Sequence, residues 1–183
     1  MRQRLRRHIV LVGMMGAGKT ALGTELARRL HVPFTDSDVE IETAAAMSIS
    51  EIFARDGEPF FRDREAQVIA RILKESPRVI STGGGAWMQE RNRAAIRAAG
   101  LSVWLACDLD TLWHRVRQRT TRPLLKTADP KGPLARLLAE REPTYALAEL
   151  TFPARPGDSV DAATARLLDA IRDADPALVI ETP

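Results

Sequence analysis

Residues 9–23 read IVLVGMMGAGKTALG, and this stretch decides the fold of the chain. Its four apolar residues, Ile9 to Val12, predict a short buried strand. The pattern G-x-x-x-x-G-K-T follows at once, from Gly13 to Thr20, with every fixed position filled. Leucines then recur at every fourth position from Leu22 to Leu30, which predicts a helix with one apolar stripe from Lys19 to Leu30. A strand, a glycine-rich turn and a helix in this order are typical of a loop that holds phosphate.

The residue types in the turn are those that phosphate binding requires. Glycines let the loop wrap so that successive backbone N–H groups point at phosphate oxygens, and the helix adds the positive end of its dipole. We expect Lys19 to reach the β- and γ-phosphates and the Thr20 hydroxyl to ligate Mg²⁺. The alternative is a plain strand–helix turn with an incidental lysine, which the complete pattern disfavours. The predicted contacts to a nucleoside triphosphate are Gly13, Gly16, Ala17, Gly18, Lys19, Thr20 and Ala21.

Composition excludes several classes of protein. At 183 residues, with 45% hydrophobic and 28% charged residues, the chain suits one globular domain. No apolar run approaches the ~20 residues that a membrane span requires, and the start lacks a secretory h-region. The single cysteine, Cys107, excludes an internal disulfide and is typical of a reducing cytosol. We therefore expect a cytoplasmic protein without membrane association.

A basic cluster, RQRLRRH from Arg2 to His8, supplies much of the net charge of +3. We expect it to be a solvated tail, because no aromatic residues alternate with the charges as stacking on bases would need. The sequence thus predicts no nucleic-acid partner, and we expect a monomer.

Strand and helix patterns alternate along the rest of the chain, which indicates a parallel sheet covered on both faces. Further strands are predicted at Pro33–Thr35, Val79–Ser81, Ser102–Ala106 and Leu150–Phe152, and helices at Asn92–Ala99, Leu109–Val116, Leu134–Glu142 and Val160–Ile171. Another helix opens with a Ser48–Glu51 capping box, Pro59 is expected in the first turn of the next, and Pro143 is expected to break or restart a helix.

Two groups of charged residues could carry chemistry. Asp36 and Asp38 follow the second strand, where ligands gather in a doubly wound sheet. They could orient Mg²⁺ and an attacking hydroxyl, or form an ordinary turn that caps the next helix. Arg62 and Glu65 are neighbours on one helix face and could form a surface salt bridge or a ligand site. The Gly83–Gly85 turn could admit a ligand or be a plain tight turn.

The order of these motifs resembles that of the shikimate kinases. The segments are GMMGAGKT, FTDSDVEIE, EIFARDGEPFFRDRE, STGGGA, RPLL and REPTY, and the resemblance covers about Ile9 to Phe152. It implies an α/β fold of the P-loop nucleoside-monophosphate-kinase-like type, with a central parallel sheet flanked by helices, a mobile lid and a small substrate-binding insert. One kinase domain would span 1–183: a core at 1–35 and 76–112, a substrate-binding region at about 36–75, a lid at about 119–133, and core completion at 134–183.

The resemblance also assigns roles on the acceptor side. Asp38 would contact the shikimate hydroxyls and either position or deprotonate the acceptor, while Asp36, with Thr20, would belong to the Mg²⁺ shell. Arg62 and Arg141 would grip the shikimate carboxylate. The remaining assignments are Glu65, which would orient such arginines, the turn residues Gly83, Gly84 and Gly85 beside the substrate, and the lid arginine Arg122 at the transferring phosphate.

The implied activity is phosphorylation of shikimate at its 3-hydroxyl by ATP with Mg²⁺, on the route to chorismate and the aromatic amino acids. Alternatives are a kinase for another small hydroxy acid such as gluconate, and a non-catalytic nucleotide-binding module. On the adenine side either Arg117 or Arg119 is expected to pack on the base, with Arg155 in an adenine-contacting loop. Trp87 could wall the acceptor pocket or pack in the core.

Overall fold

A computed structural model describes residues 2–118 and 131–182. The strands are β1 (Arg2–Leu5), β2 (His8–Val12), β3 (Phe34–Asp36), β4 (Val79–Ser81), β5 (Gly100–Ala106), β6 (Leu150–Pro153) and β7 (Val179–Thr182). The helices are α1 (Lys19–Leu30), α2 (Ser37–Ala45), α3 (Ile49–Ile72), α4 (Glu90–Ala99), α5 (Leu109–Arg117), α6 (Lys131–Tyr145) and α7 (Val160–Ala174), with one 3-10 turn at Ala86–Met88. In this part of the chain no helix is both long and apolar enough to cross a bilayer.

A parallel sheet in the order β3-β4-β2-β5-β6 forms the centre of the molecule. All five residues of the central strand β2 are buried. Because successive side chains of a strand point to opposite faces, complete burial means that both faces of the sheet are covered. The predicted α/β class with a central parallel sheet is therefore confirmed, and the loop after β2 opens at the carboxyl edge of the sheet.

Most predicted elements are confirmed, and one prediction about a helix is wrong. The bounds of α1 and β4 are those expected, while β5 and α4 begin two residues earlier and α7 runs to Ala174. Pro143 was expected to break or restart a helix, yet α6 continues through it to Tyr145. Pro143 has no N–H to donate to the carbonyl four residues earlier, but it lies in the last turn, and the fully buried Tyr145 anchors that turn.

The α3 helix contains a sharp bend that shapes the region beside the sheet. Ser48 and Glu51 form the predicted capping box at its start. Gly57 then leaves the helical conformation at φ 82°, and Pro59 falls in the first turn after this kink, as expected. The bend brings the rings of Phe53 and Phe61 together, with centroids 4.7 Å apart.

The basic N-terminal cluster was expected to be a solvated tail, and this prediction is wrong for its first part, which forms a strand. Strand β1 pairs antiparallel with β7 at the other end of the chain, with Leu5 opposite Val179. Leu5 is buried, and Arg7 forms a 2.8 Å salt bridge with Asp175. A strand needs a partner for its backbone N–H and C=O groups, and here that partner is almost the whole chain away.

Residues 119–130 lie outside the described part of the chain, and with them Arg119, Arg122 and most of the predicted lid. Residues 131–133 begin α6.

Candidate active site

The loop from Gly13 to Thr20 has the conformation that its glycines permit. Gly16 and Gly18 adopt φ values of 81° and 96°, which L side chains rarely tolerate, and Gly18 is the N-cap residue immediately before α1. The Lys19 ammonium donates to the carbonyl oxygens of Gly13 at 2.7 Å and Met14 at 2.8 Å. The lysine is thereby tied to the loop whose backbone N–H groups stand at the N-terminus of α1, where an anion is favoured.

One cleft, of about 420 Å³, brings the predicted acceptor residues together beside this loop. Its lining includes Lys19, Asp38, Arg62, the turn Gly83–Gly85 and Arg141. Phe53 and Phe61 add an apolar wall. The cleft is lined by three carboxylates (Asp36, Asp38 and Glu65), two guanidinium groups and the loop lysine. Cations for a carboxylate and acceptors for hydroxyls are a set that suits a small anionic molecule rich in hydroxyls.

Asp36 caps the next helix, which is one of the two alternatives that the sequence left open, and its second oxygen stays available for the other. Its Oδ1 accepts hydrogen bonds from the backbone N–H groups of Asp38 at 2.9 Å and Val39 at 3.4 Å, and so caps α2. Its Oδ2 accepts from the Thr20 hydroxyl at 3.5 Å. One oxygen is used by the helix cap and the other faces the phosphate loop.

The pairing of Thr20 with Asp36 is compatible with Mg²⁺. A hydroxyl and a carboxylate oxygen are the ligand types that Mg²⁺ prefers, and this ion usually keeps several waters and phosphate oxygens. Among the described residues no group of three His, Cys, Asp or Glu side chains could hold a metal alone. The donor set therefore fits an ion that a nucleotide brings with it better than a permanent all-protein site.

Asp38 has the electrostatics of a group that can accept a proton near neutral pH. The pKa of Asp38 is raised to about 6, chiefly by burial and also by the negative charge of Asp36, while the Lys19 ammonium opposes the rise. A carboxyl group with such a pKa is ionised at pH 7, and yet is more basic than an ordinary aspartate.

Arg62 is held by a buried carboxylate. Its Nη1 donates to the two Glu65 oxygens at 2.9 and 3.2 Å, and Glu65 is only 1% exposed. Burial raises the pKa of Glu65, and the Arg62 guanidinium opposes this. Arg62 and Glu65 therefore do not form a surface salt bridge. Glu65 is buried inside the protein and holds the Arg62 guanidinium in the cleft.

The glycine turn after β4 makes room for three charged side chains. A Cβ atom placed on Gly83 would lie 2.6 Å from Asp38 Oδ1. One on Gly84 would lie 3.1 Å from Arg141 Nη1, and one on Gly85 would lie 2.7 Å from Arg62 Nη1. Contacts under 3.0 Å are not seen for real Cβ atoms. The turn therefore forms one side of the cleft, and the acidic and basic groups pack directly against its backbone.

A second cleft, of about 500 Å³, lies on the other side of the phosphate loop. Gly16, Phe152, Arg155 and Arg115 are among its lining residues. The two clefts share Gly16 and Gly18 of the loop and Ala21 at the start of α1. A molecule that spans the loop could therefore extend from the second cleft toward the first.

Proteins of similar sequence identify the family of this chain. The family model described as shikimate kinase matches residues 15–172. The chain belongs to the shikimate kinase family. A shikimate kinase of Cereibacter sphaeroides is 58% identical over 168 residues, which cover 92% of this chain and 84% of that protein. The shikimate kinase of Ruegeria pomeroyi is 55% identical, with coverage of 91% and 86%.

Solved structures of a shikimate kinase and of a gluconokinase are similar to this chain in fold. The Acinetobacter baumannii shikimate kinase in complex with shikimate has a TM-score of 0.84 and 36% identity, and the match covers 92% of this chain and 94% of that one. A gluconokinase from Sinorhizobium meliloti has a TM-score of 0.53 and 17% identity over 94% of this chain and 99% of that one, a likeness of fold alone.

In this family member the second cleft identifies an arginine that sequence reasoning missed. Among the described residues Arg115, and not Arg117, lines the cleft, and its Nη1 donates to the Gly16 carbonyl at 3.1 Å. Arg119, the other arginine expected at the base, lies outside the described residues. Arg117 instead contacts the His114 ring at 3.1 Å. The available signal was helical spacing: Arg115 follows the buried Leu112 by three residues and so lies on the face of α5 that packs toward the loop.

Two other residues of this kinase have structural roles. Trp87 is fully buried and its Nε1 donates to the Thr144 carbonyl at 2.9 Å, so core packing was the correct alternative. Cys107 is half-buried, and burial raises the pKa of its thiol. A thiol of this kind is a weak nucleophile at neutral pH.

Proposed function

We propose that the protein transfers the γ-phosphoryl group of ATP to the 3-hydroxyl of shikimate. The observation that carries the proposal is the convergence of Asp38, Arg62 and Arg141 in one cleft that Lys19 also lines. Membership of the shikimate kinase family supports it.

The two arginines would bind the acceptor through its carboxylate. Guanidinium groups form directional, charge-assisted hydrogen bonds with carboxylates, and Glu65 already orients Arg62 into the cleft. A carboxylate held by Arg62 and Arg141 leaves the acceptor hydroxyl at a set distance, beside Asp38. This geometry would favour shikimate over a flexible acid such as gluconate.

The chemistry would depend on position and charge. Ionised Asp38 would accept a hydrogen bond or the proton from the attacking hydroxyl, while Lys19 would neutralise charge on the β- and γ-phosphates. We assign Thr20 and Asp36 to hold Mg²⁺, which when bound would supply further charge neutralisation at the phosphates. Arg122, beyond the described residues, is proposed to reach the transferring phosphate.

We assign the second cleft to the adenosine part of ATP. Its position beside Gly16 and Ala17 suits the remainder of a nucleotide whose phosphates lie in the loop. Arg115 and Arg155 would contact the base, because a guanidinium plane stacks well on an aromatic ring.

The proposed organisation is one kinase domain in which residues of about 36–75 bind the acceptor and residues of about 119–133 act as a lid. A lid would exclude water, which competes with the acceptor hydroxyl for the phosphoryl group. We also propose that the kinase acts as a cytoplasmic monomer.

The test is a coupled ADP-release assay with shikimate, gluconate and other small hydroxy acids. Shikimate should give ADP release at the highest kcat/KM of the panel, and Lys19→Met should reduce its kcat by about 10²–10³-fold, as loss of a charge-stabilising donor does in other enzymes. A higher kcat/KM for gluconate would contradict the proposal, as would a failure of every acceptor to increase ADP release.

A further inference from the structure

Two hydrogen bonds join the last turn of α6 to the glycine turn and to the 3-10 turn that follows it. The Tyr145 hydroxyl donates to the Gly84 carbonyl at 2.5 Å. The Trp87 indole donates to the carbonyl of Thr144, the preceding residue, at 2.9 Å. Bonds from side chains in both directions fix this end of α6 against the acceptor cleft.

Arg141 belongs to the same assembly. It precedes Tyr145 by four residues on α6 and therefore lies on the same helix face. A Cβ atom on Gly84 would lie 3.1 Å from Arg141 Nη1 and 3.6 Å from the Tyr145 hydroxyl. Burial raises the pKa of Tyr145, and the positive charge of the Arg141 guanidinium opposes the rise. The phenol oxygen thus faces both the guanidinium and the backbone of the turn.

The Tyr145 ring cannot easily move. It is fully buried and stacks on Trp104, with centroids 6.1 Å apart and planes inclined by 21°. Trp104 in turn borders the phosphate loop, because a Cβ atom on Gly13 would lie 3.5 Å from its ring. A rigid ring can hold its hydroxyl at a defined point beside the cleft.

The two cleft arginines are held in different ways. Arg62 is paired with the buried carboxylate of Glu65. Within residues 2–118 and 131–182, no carboxylate forms an ion pair with Arg141, and the neutral Tyr145 phenol lies beside the same turn as its guanidinium. A neutral partner orients a guanidinium without cancelling its charge, so that the full charge remains for an anionic ligand.

We propose that Tyr145 is a positioning residue for the acceptor: its hydroxyl fixes the Arg141 guanidinium relative to Gly84, so that the carboxylate of the acceptor meets a guanidinium already in place. The inference rests on the proposed function and extends it to a residue that does not itself line the cleft. It predicts that Tyr145 acts on acceptor binding through Arg141 and leaves ATP binding unchanged.

The first test is Tyr145→Phe, which keeps the ring and removes the hydroxyl. Loss of one hydrogen bond of ordinary strength should raise the KM for shikimate about 5-fold, with the KM for ATP unchanged. Thr144→Ala is the matched control: it alters the neighbouring residue, keeps the carbonyl that Trp87 uses, and should leave both KM values unchanged. Equal increases in both KM values for Tyr145→Phe, or none, would overturn the inference.

A double-mutant cycle tests the route through Arg141. If Tyr145 acts by orienting Arg141, Tyr145→Phe should add nothing to the loss of shikimate affinity that Arg141→Ala causes. Additive losses would mean that Tyr145 acts independently, and the inference would be wrong.

Wild-type turnover of shikimate is measured in the same assay. If the wild-type enzyme turns over shikimate normally and Tyr145→Phe has no effect, only the inference about Tyr145 is wrong. If the wild-type enzyme does not turn over shikimate, the proposed function is wrong as well.

A spectroscopic test avoids substitution of Tyr145 by a non-tyrosine residue. Because the chain contains one tyrosine, protein labelled with 3-fluorotyrosine should give a single ¹⁹F resonance. Shikimate should shift this resonance in the otherwise wild-type protein, and the shift should be lost in Arg141→Ala at a shikimate concentration that still saturates that variant. A resonance that saturating shikimate does not move would contradict the inference.

Discussion

A Cβ atom on Gly83 would lie 2.6 Å from Asp38 Oδ1, so the carboxylate of Asp38 occupies space that any side chain at position 83 would take. The same relationship joins Gly85 to Arg62. The backbone of the turn therefore sets how far each charged group extends into the cleft.

Gly85→Ala should impair acceptor binding by steric displacement. Gly85 has φ −90° and ψ −12°, a conformation that alanine adopts freely, so backbone strain is not involved. Its new Cβ atom would lie 2.7 Å from Arg62 Nη1 and push the guanidinium aside. We expect the KM for shikimate to rise about 10-fold or more, as for loss of a hydrogen bond to a charged group, with the KM for ATP unchanged. An unchanged KM for shikimate in steady-state kinetics would show that Arg62 adapts.

Arg62→Ala should weaken shikimate binding about 10–100-fold, because charge-assisted hydrogen bonds are lost. The substitution also leaves the buried Glu65 without its partner, so Arg62→Lys and a thermal melt should accompany it. Arg64→Ala is the control on the same helix: Arg64 stacks on Phe60, contacts Gln67, and is outside the cleft lining. Similar losses of shikimate affinity in the Arg62→Ala and Arg64→Ala variants would contradict the assignment.

Asp38→Asn should abolish most turnover while ATP still binds. In the wild-type enzyme, kcat/KM for shikimate should fall as the pH drops below about 6, because the carboxylate that accepts the hydrogen bond becomes protonated. A pH profile of kcat/KM measures this limb. Isothermal titration of the variant with ATP serves as its control, and lost ATP affinity would argue against a position on the acceptor side.

The raised pKa of Asp38 also predicts an effect on stability. Its value is about 6 in the folded protein against 3.8 for an unperturbed aspartate, so the fold is favoured when the group is protonated. That contribution is complete below pH 4 and is lost as the pH rises through 6. Asp38→Asn should therefore raise the free energy of unfolding of the ligand-free protein by about 1–2 kcal/mol at pH 7.5. The difference should vanish near pH 4 in thermal melts, and a less stable variant at pH 7.5 would refute the explanation.

Arg115→Ala should raise the KM for ATP several-fold and leave that for shikimate unchanged, since Arg115 lines the second cleft. Arg117→Ala is the matched control two residues away, where the side chain contacts His114. If Arg117→Ala gives the larger increase in the KM for ATP, the assignment of the base-contacting arginine is wrong.

The sequence could predict those features whose causes are local. The pattern from Gly13 to Thr20 specifies a phosphate loop, because its turns need glycine and its ligand needs lysine and a hydroxyl. The capping box at Ser48 and the apolar stripe of α1 depend on neighbours three or four residues away. The ordered motifs carried the resemblance to the shikimate kinase family, which the comparisons confirm.

Only the tertiary structure decided the contacts between distant segments. The pairing of β1 with β7, the place of Arg115 beside Gly16, and the bond from Tyr145 to Gly84 join residues that are far apart in the chain. Local periodicity reports which face of an element is apolar, but not which element that face will meet. The amino-acid sequence by itself therefore determined the phosphate loop and the family, while long-range packing determined which arginine faces each cleft and what holds it there.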